Sequence, residues 1–399
     1  MSAVRVAVVG AGIGGLAIAA ALEQAGIEAV VLEQAQGLGE VGAGISMSPN
    51  SLREVDRLGL TPALDAVAVE RDAAAAFYTA DCRVADVPSI GRGRATAKTV
   101  HRADLIGVLA RGVRAGTIRL GSRVTRIEQD ADGVTIGIDG GGIERFDAAI
   151  GADGIHSVVR GAVAADAPPV FSGMIAYRGL VPRARIPWWE YDELSMFLGG
   201  DRHFLTFPVR SGELINFVGF VVADDAMRES WSLPGDPAVL AGLFGRFGEP
   251  VRRFLAEVDT TFRTGLYDRD PLAGWVHGRI ALAGDAAHAM LPHAGQGANQ
   301  AIEDAAALAV VLAGRAPAEL PAALLDYERA RIGRASFIQL FSRRLGLEYD
   351  GGFASLSPAE SLADKVAVRR WITAVDARAD AEAVRAGDDP TPPPPGLPA

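Results

Sequence analysis

Near its start the chain changes hydrophobic period twice. Val4–Val9 is an almost unbroken apolar run, Gly10–Gly15 a glycine-rich turn, and Leu16–Ala25 a helical pattern that Gly26 stops. Ala29–Glu33 is a second apolar run of strand length. Strands without polar alternation are buried on both faces, so β–turn–α–β in this order predicts a parallel, doubly wound sheet. Gly37–Asn50 is rich in glycine and reads as irregular, and Ser51–Leu58 as a helix stopped by Gly59. Further on, Arg102–Arg111 reads as a helix, Val124–Gln129 and Gly133–Ile138 as paired strands turning at Asp132-Gly133, and Asp147–Gly151 as a buried strand.

From Gly173 to Val222 the pattern becomes an alternation carrying Tyr177, Phe197, Phe204, Phe207, Phe217 and Phe220, which predicts an antiparallel sheet inserted into the first domain. Ile280–Ala283 returns to a buried strand, and Gly284–Gly297 is a second glycine-containing loop. Ala298, Ala301, Ile302, Ala305, Leu308, Ala309 and Leu312 follow at helical spacing, and more helices fill Ala322 to about Arg385. The fold class is therefore α/β: a Rossmann-like nucleotide-binding domain, an inserted antiparallel sheet and C-terminal helices. Boundaries are expected at 1–172 (with a β excursion near 70–100), 173–272 and 273–385, and the proline-rich 386–399 is expected to be disordered.

Composition narrows the function. A net charge of −10 leaves no basic surplus for phosphate backbones, which argues against a general nucleic-acid partner. Cys82 is the only cysteine, so neither an intrachain disulfide nor a cysteine metal cluster is available. There is no His-Glu-x-x-His helix, and no metal is expected. The opening apolar run has no basic flank and leads straight into glycines, so it reads as a strand, not a signal peptide. No stretch is long enough to span a membrane, and the cytoplasm is the expected location.

Gly10-Ala11-Gly12-Ile13-Gly14-Gly15 lies between the first strand and helix. Gly10 suits a tight turn, Gly12 a close approach of pyrophosphate, and Gly15 close packing of helix on strand. The anion would rest on the helix start at Ile13 and Gly14. Glu33, ending the second strand, has the spacing of an acid that accepts from ribose hydroxyls.

A second run, Arg279 to His288 with Gly284-Asp285, followed by Pro292 and Gly295-Gln296-Gly297, resembles the second FAD signature of the aromatic-ring hydroxylases of the p-hydroxybenzoate hydroxylase type. Gly151-Ala152-Asp153-Gly154, with Arg160, resembles that family's third signature, near the pyrophosphate and associated with NAD(P)H use. Gly42-Ala43-Gly44-Ile45 with Pro49-Asn50 is similar to the flavin-contacting loop of the salicylate and 6-hydroxynicotinate hydroxylase branch, and His101-Arg102 to the start of its FAD-contacting helix. The resemblance implies FAD held by Gly44, Arg102, Asp153, Gly284, Asp285, Gly295 and Gly297, with the N–H groups of Ala298 and Asn299 on the flavin. It implies a single-component monooxygenase, monomer or homodimer, that uses NADH or NADPH and O2. A flavin C4a-hydroperoxide would hydroxylate a small aromatic or heteroaromatic phenol. The alternatives are a non-hydroxylating FAD oxidoreductase on the same fold, or action on a larger polycyclic phenol.

Met290-Leu291-Pro292-His293 resembles the salicylate hydroxylase run, making His293, placed by Pro292, the candidate base for a phenol proton. A free phenol and an imidazole differ by about 3.5 pKa units, so a substrate anchor is the equal alternative for His293. His203, Phe207 and Phe217 are candidate substrate contacts. His288 reads as a structural hydrogen-bonding residue, His156 as either surface or phosphate-linked, and Arg178 as a solvated or salt-bridged strand residue. Trp188 and Trp189 read as a lid or a packing pair.

Overall fold

The computed structural model describes residues 4–39, 43–72, 75–85, 96–165, 167–223, 233–350 and 359–394. Its first sheet has six strands in the order β18 (Val276–His277), β19 (Ile280–Leu282), β11 (Ala148–Gly151), β1 (Arg5–Val9), β2 (Glu28–Leu32) and β7 (Ile118–Arg119). All pair in parallel except β18. Val6, Ala7 and Val8 have no exposed surface, as an apolar run between two helical layers requires. A three-stranded sheet, β8 (Val124–Gln129), β9 (Val134–Ile138) and β10 (Gly142–Phe146), flanks it. Another three-stranded sheet joins β3 (Gly44–Met47), β6 (Thr96–His101) and β4 (Val69–Asp72).

The largest sheet has seven strands: β16 (Leu233–Gly235), β17 (Thr261–Asp268), β12 (Val170–Pro182), β15 (Leu214–Val222), β14 (Arg202–Val209), β13 (Ser195–Leu198) and β5 (Ala76–Thr79). Helices α5 (Pro237–Leu243) and α6 (Glu249–Ala256) cover one face, where Phe197, Phe204, Phe217, Phe244 and Phe254 form a buried core with Trp189. Trp188 and Trp189 are thus a packing pair on this covered face. The opposite face carries His203, Phe207, Asn216 and Phe220 and looks toward the nucleotide-binding half.

The other helices are α1 (Ile13–Gln24), α2 (Pro49–Arg57), α3 (Thr61–Asp65), α4 (Arg102–Ala110), α7 (Asp285–His288), α8 (Gly297–Leu312), α9 (Leu320–Asp350), α10 (Ala359–Ala374) and α11 (Ala377–Ala386). Helix α1 is buried over most of its length because the sheet lies on one side and α8 on the other; a Cβ on Gly14 would stand 3.2 Å from the Ala301 methyl. No helix among the described residues is long and apolar enough to cross a membrane.

Several expectations need correction. The stretch Gly37–Asn50 is not wholly irregular: β3 pairs with β6, and Pro49 opens α2 at a position where its missing N–H costs nothing. Helix α1 begins at Ile13, inside the expected turn, because glycines at 14 and 15 still adopt helical geometry there. The loop after Gly284 contains α7 and a single 3-10 turn, Pro292–Ala294. In the proline-rich tail, the Thr391 N–H and hydroxyl both donate to Asp380 Oδ1, at 3.1 and 2.6 Å, so that part is tied to α11. Residues 395–399 lie outside the described set.

The 31-residue α9 crosses from the nucleotide-binding half to the inserted sheet, and a buried ionic cluster fixes its path. Arg331 bonds Glu303 at 2.7 Å and Asp304 at 2.9 Å, and Arg334 bonds Glu303 at 2.8 Å, all four residues being buried. Burial alone would raise the Asp304 pKa, but His288 and Arg331 pull it down to about 2. Replacing Arg331 with Met leaves both carboxylates short of a partner. Urea unfolding at pH 7 should then show a loss of about 3–5 kcal/mol. A loss below about 1 kcal/mol would mean that the cluster is not what sets the path of α9.

Candidate active site

The glycine turn after β1 is closed around its own backbone. A Cβ on Gly15 would lie 1.9 Å from the Gly10 carbonyl oxygen, and one on Gly10 would lie 2.6 Å from the Ala152 oxygen. Gly10 also has φ +100°, which favours glycine. At Gly12, by contrast, no protein atom is within 4 Å of a would-be Cβ. No side chain caps α1, so the N–H groups of its first turn face that open space. Glu33 closes the far side: its carboxylate accepts from Ala11 N–H and Ala35 N–H, both at 2.7 Å. An open helix N-terminus next to a carboxylate fits a pyrophosphate followed by a ribose.

Asp153 lies directly behind the Gly10 turn, with its Cα 3.1 Å from a would-be Cβ on Gly10. Its carboxylate accepts from Ser157 Oγ at 2.5 Å and from Val158 N–H at 2.7 Å, so it caps its own turn and shapes the loop behind Gly10. His156 is exposed.

The loop after β19 meets the same helix pair. Gly284, at φ +57°, donates its N–H to Asp304 Oδ2 at 2.9 Å, and its would-be Cβ lies 3.4 Å from Ala301. Ala301 is thus the common neighbour of Gly14 and Gly284. Asp285 opens into the cleft although protein surrounds it; that enclosure raises its pKa, against the pull of His288, Arg102 and Arg160. Gly297, the first residue of α8, is close enough that its would-be Cβ stands 3.9 Å from Asp285 Oδ1. His288 is wholly buried, with Nε2 2.7 Å from Asp304 Oδ2, which is the structural part expected of it.

Gly295, at φ +65°, turns the chain into α8, whose first turn has no side-chain cap. The Ala298 and Asn299 N–H groups therefore lie at a helix start suited to partial negative charge on a ring edge. The Asn299 side chain is occupied elsewhere: Oδ1 accepts from Ser48 N–H at 2.8 Å and Ser51 Oγ at 2.5 Å, while Nδ2 donates to the Ser46 carbonyl at 3.0 Å. These bonds weld β3 and α2 to α8. Gly44 donates to Asn216 Oδ1 at 2.7 Å, and any Cβ there would strike the Phe207 ring. Gly42 lies outside the described residues. Arg102 donates its N–H to the Ala43 carbonyl at 3.1 Å, and its side chain lies close enough to Asp285 for the charges to interact.

Beyond this cleft lies a cluster of aromatic and imidazole rings, the candidate substrate pocket. Pro292 is exposed and starts the 3-10 turn that carries His293 inward. Ser342 on α9 fixes that turn, donating Oγ to Leu291 O at 2.5 Å and accepting Ala294 N–H at 3.0 Å. The His293 ring packs on Gly346, where a Cβ would come within 2.8 Å of it. It stands 5.5 Å from Phe220, 5.7 Å from His203 and 6.1 Å from Tyr349. His293 is 8% exposed, and neither ring nitrogen has a hydrogen-bond partner among the described residues. Burial pulls its pKa to about 4, and burial together with His293 holds His203 well below the usual histidine range.

Of the expected substrate contacts, His203 and Phe207 are on the pocket side. Phe217 is not: it points into the opposite core beside Phe204 and Phe254, because alternate residues of β15 face opposite ways. Its neighbours Asn216 and Phe220 face the pocket. The cross-strand pairing of His203 with Phe220 fixes this register, a signal absent from the sequence of either strand alone. Arg178 is half-buried, its pKa is drawn down to about 10 by burial and then by Arg102, and it shares the strand face of Ala176 toward the cleft. Tyr349 was missed altogether because it arrives on α9, far along the chain.

A family model described as FAD binding domain matches residues 3–339. The chain belongs to this family of FAD-dependent flavoprotein monooxygenases. A 3-amino-4-hydroxybenzoate 2-monooxygenase of Streptomyces platensis is 38% identical, over 86% of this chain and 88% of its own. A salicylate hydroxylase of Pseudomonas putida is 36% identical, over 87% and 86%. The solved substrate complex of a salicylate hydroxylase superposes with a TM-score of 0.82 at 33% identity, covering 96% of this chain and 98% of that one. FAD is the cofactor of the family, NAD(P)H its usual reductant, and the open space at Gly12 and the bare starts of α1 and α8 fit FAD.

Gly12→Val should leave the apoprotein's melting temperature within a few degrees of wild type yet abolish FAD loading, whereas Gly15→Ala should damage the fold itself; normal flavin content in Gly12→Val would overturn the assignment of that space. His293 enters the folded state uncharged, with its pKa lowered from 6.5 to about 4. Its neutral form is therefore no burden above pH 6.5, and stability is lost as pH falls from 6.5 toward 4, by up to about 3 kcal/mol. His293→Asn should remove that portion, so its unfolding free energy should decline less steeply over this window than that of wild type. Parallel curves would contradict the burial of the imidazole.

Proposed function

We propose that the ring-lined pocket holds a small phenol with its hydroxyl against His293, and that His293 takes up the phenol proton as the ring is hydroxylated. The observation that carries this reading is a neutral, buried imidazole with both nitrogens unsatisfied, set among the rings of His203, Phe220 and Tyr349. Buried polar atoms without partners are rare, and a ligand hydroxyl supplies the missing one. The relatives named above act on 3-amino-4-hydroxybenzoate and on salicylate, both of which are ring phenols.

FAD, when bound, supplies the redox chemistry: it accepts a hydride from NAD(P)H and delivers one atom of O2 to the ring. Reliance on that reductant pool accords with a cytoplasmic enzyme. The chain's own residues do the rest. Gly44 and Asn216 fix the loop between cleft and pocket, the start of α8 offers N–H groups to the cofactor edge, and Phe220 and Phe207 exclude water. His293 is neutral at pH 7, so the substrate meets a lone pair and not a charged N–H. An imidazole near pKa 4 and a phenol near 10 differ by about 6 units. The proton therefore moves as electrons leave the oxygen for the ring, not before.

His293→Ala should keep FAD and bind substrate, while hydroxylated product per unit time falls by roughly 10²–10⁴-fold. NAD(P)H oxidation should continue and release hydrogen peroxide, and the defect should shrink with a more acidic phenol. A raised KM with kcat and coupling intact would make His293 an anchor and place the base elsewhere.

A further inference from the structure

One buried amide on the pocket face of the large sheet uses only half of its hydrogen-bonding capacity. Asn216 lies on β15, paired with Leu180 on β12 and Phe207 on β14, and has no exposed surface. Its strand neighbours Ile215 and Phe217 turn into the helix-covered core, so Asn216 shares the opposite face with Val218 and Phe220. There its Oδ1 accepts the Gly44 N–H at 2.7 Å. A backbone N–H can only donate, so the oxygen must be the atom that faces it, and the amide cannot be turned over. Nδ2 is left buried, with two protons and no acceptor among the described residues.

The amide is held firmly. A Cβ on Gly44 would lie 2.9 Å from Asn216 Cγ and 2.3 Å from the Phe207 ring, so β3 is pressed against it. Thr99 on β6 donates Oγ1 to the Pro208 carbonyl at 2.5 Å, which ties β14 to the partner strand of β3. The same β3 relates the amide to the cofactor cleft. Two residues beyond Gly44, about 7 Å along the strand, the Ser46 carbonyl accepts from Asn299 at the open start of α8. Phe220, which packs against His293, is four residues away on β15, about 13 Å. Asn216 therefore stands at the cofactor end of the pocket face, not at the imidazole end. A buried donor fixed in place without an acceptor is rare, and a bound molecule can bring the one it lacks.

We propose that Asn216 Nδ2 donates to a carbonyl oxygen of the FAD ring system, on the side away from the start of α8, and that this bond favours reduced over oxidised FAD. Reduction by a hydride from NAD(P)H leaves negative charge on the ring, and a donor binds more strongly as its acceptor becomes charged. Asn216 keeps both of its protons throughout. One amide thus has two tasks: Oδ1 holds the Gly44 loop, and Nδ2 sets the redox balance of the cofactor. The proposal rests on the FAD site and is independent of the part given to His293.

The test measures the two-electron midpoint potential of the FAD-loaded, substrate-free enzyme against a reference dye, with FAD affinity and the apoprotein melting temperature alongside. Asn216→Leu nearly keeps the side-chain volume and loses the donor. Reduced FAD should then be held about 10- to 100-fold less well relative to oxidised FAD, a fall in potential of about 30–60 mV. A merely structural loss of the Gly44 tie would weaken both forms alike and leave the potential where it was. Asn216→Asp keeps the acceptor for Gly44 and puts a second acceptor in place of the donor. Its potential should lie below that of wild type at high pH and approach it as the acid takes up a proton. The proposal is overturned if both variants keep the wild-type potential, or if substrate affinity alone changes. It is also overturned if both lose FAD at unchanged melting temperature, since the amide would then serve binding and not the reduced state. None of these outcomes touches the hydroxylase reading, which fails only if no phenol yields an oxygenated product.

Discussion

Two adjacent carboxylates in the middle of α8, Glu303 and Asp304, hold the rest of the molecule in place. Both are fully buried, and a buried carboxylate is tolerated only when every oxygen is met. Asp304 takes the Gly284 N–H, His288 Nε2 and Arg331 Nε, and thereby fixes the loop that presents Asp285. Glu303 takes Asn50 Nδ2 together with Arg331 and Arg334, and thereby fixes the start of α2 and the course of α9. Through α9 the same pair sets Ser342, Gly346 and Tyr349, which shape the substrate side. One turn of helix thus governs both the cofactor cleft and the pocket, a sharing that a hydrophobic contact, being non-directional, would not enforce.

The cofactor half was legible in the sequence because its signals are local. Gly10, Gly12, Gly15 and Glu33 fall within one βαβ unit, and Gly284 to Gly297 within one loop and helix start, so spacing alone places them together. What they do in detail was less legible. Asp153 stands in a signature that resembles a pyrophosphate contact, yet its oxygens are taken by Ser157 and Val158. Only the three-dimensional turn shows that competition.

The pocket was much harder to read because it depends on register and on long-range returns of the chain. Phe207, Phe217 and Phe220 are equivalent as sequence, and only the β14–β15 pairing divides them between two faces. One position separates a pocket wall from a core residue, since strand side chains alternate with period two. Tyr349 comes from the far end of α9, and no local pattern in that segment marks it as a neighbour of His293.

Gly346 gives the pocket an evolutionary property of its own. It sits inside a long helix, where alanine would be favoured over glycine by about 1 kcal/mol. Its missing Cβ is the space that the His293 ring occupies. The two positions are therefore epistatic: alanine at 346 is harmful while histidine stands at 293 and beneficial once a smaller residue replaces it. A lineage that lost the histidine would drift toward alanine at 346, and that alanine would then bar the histidine's return.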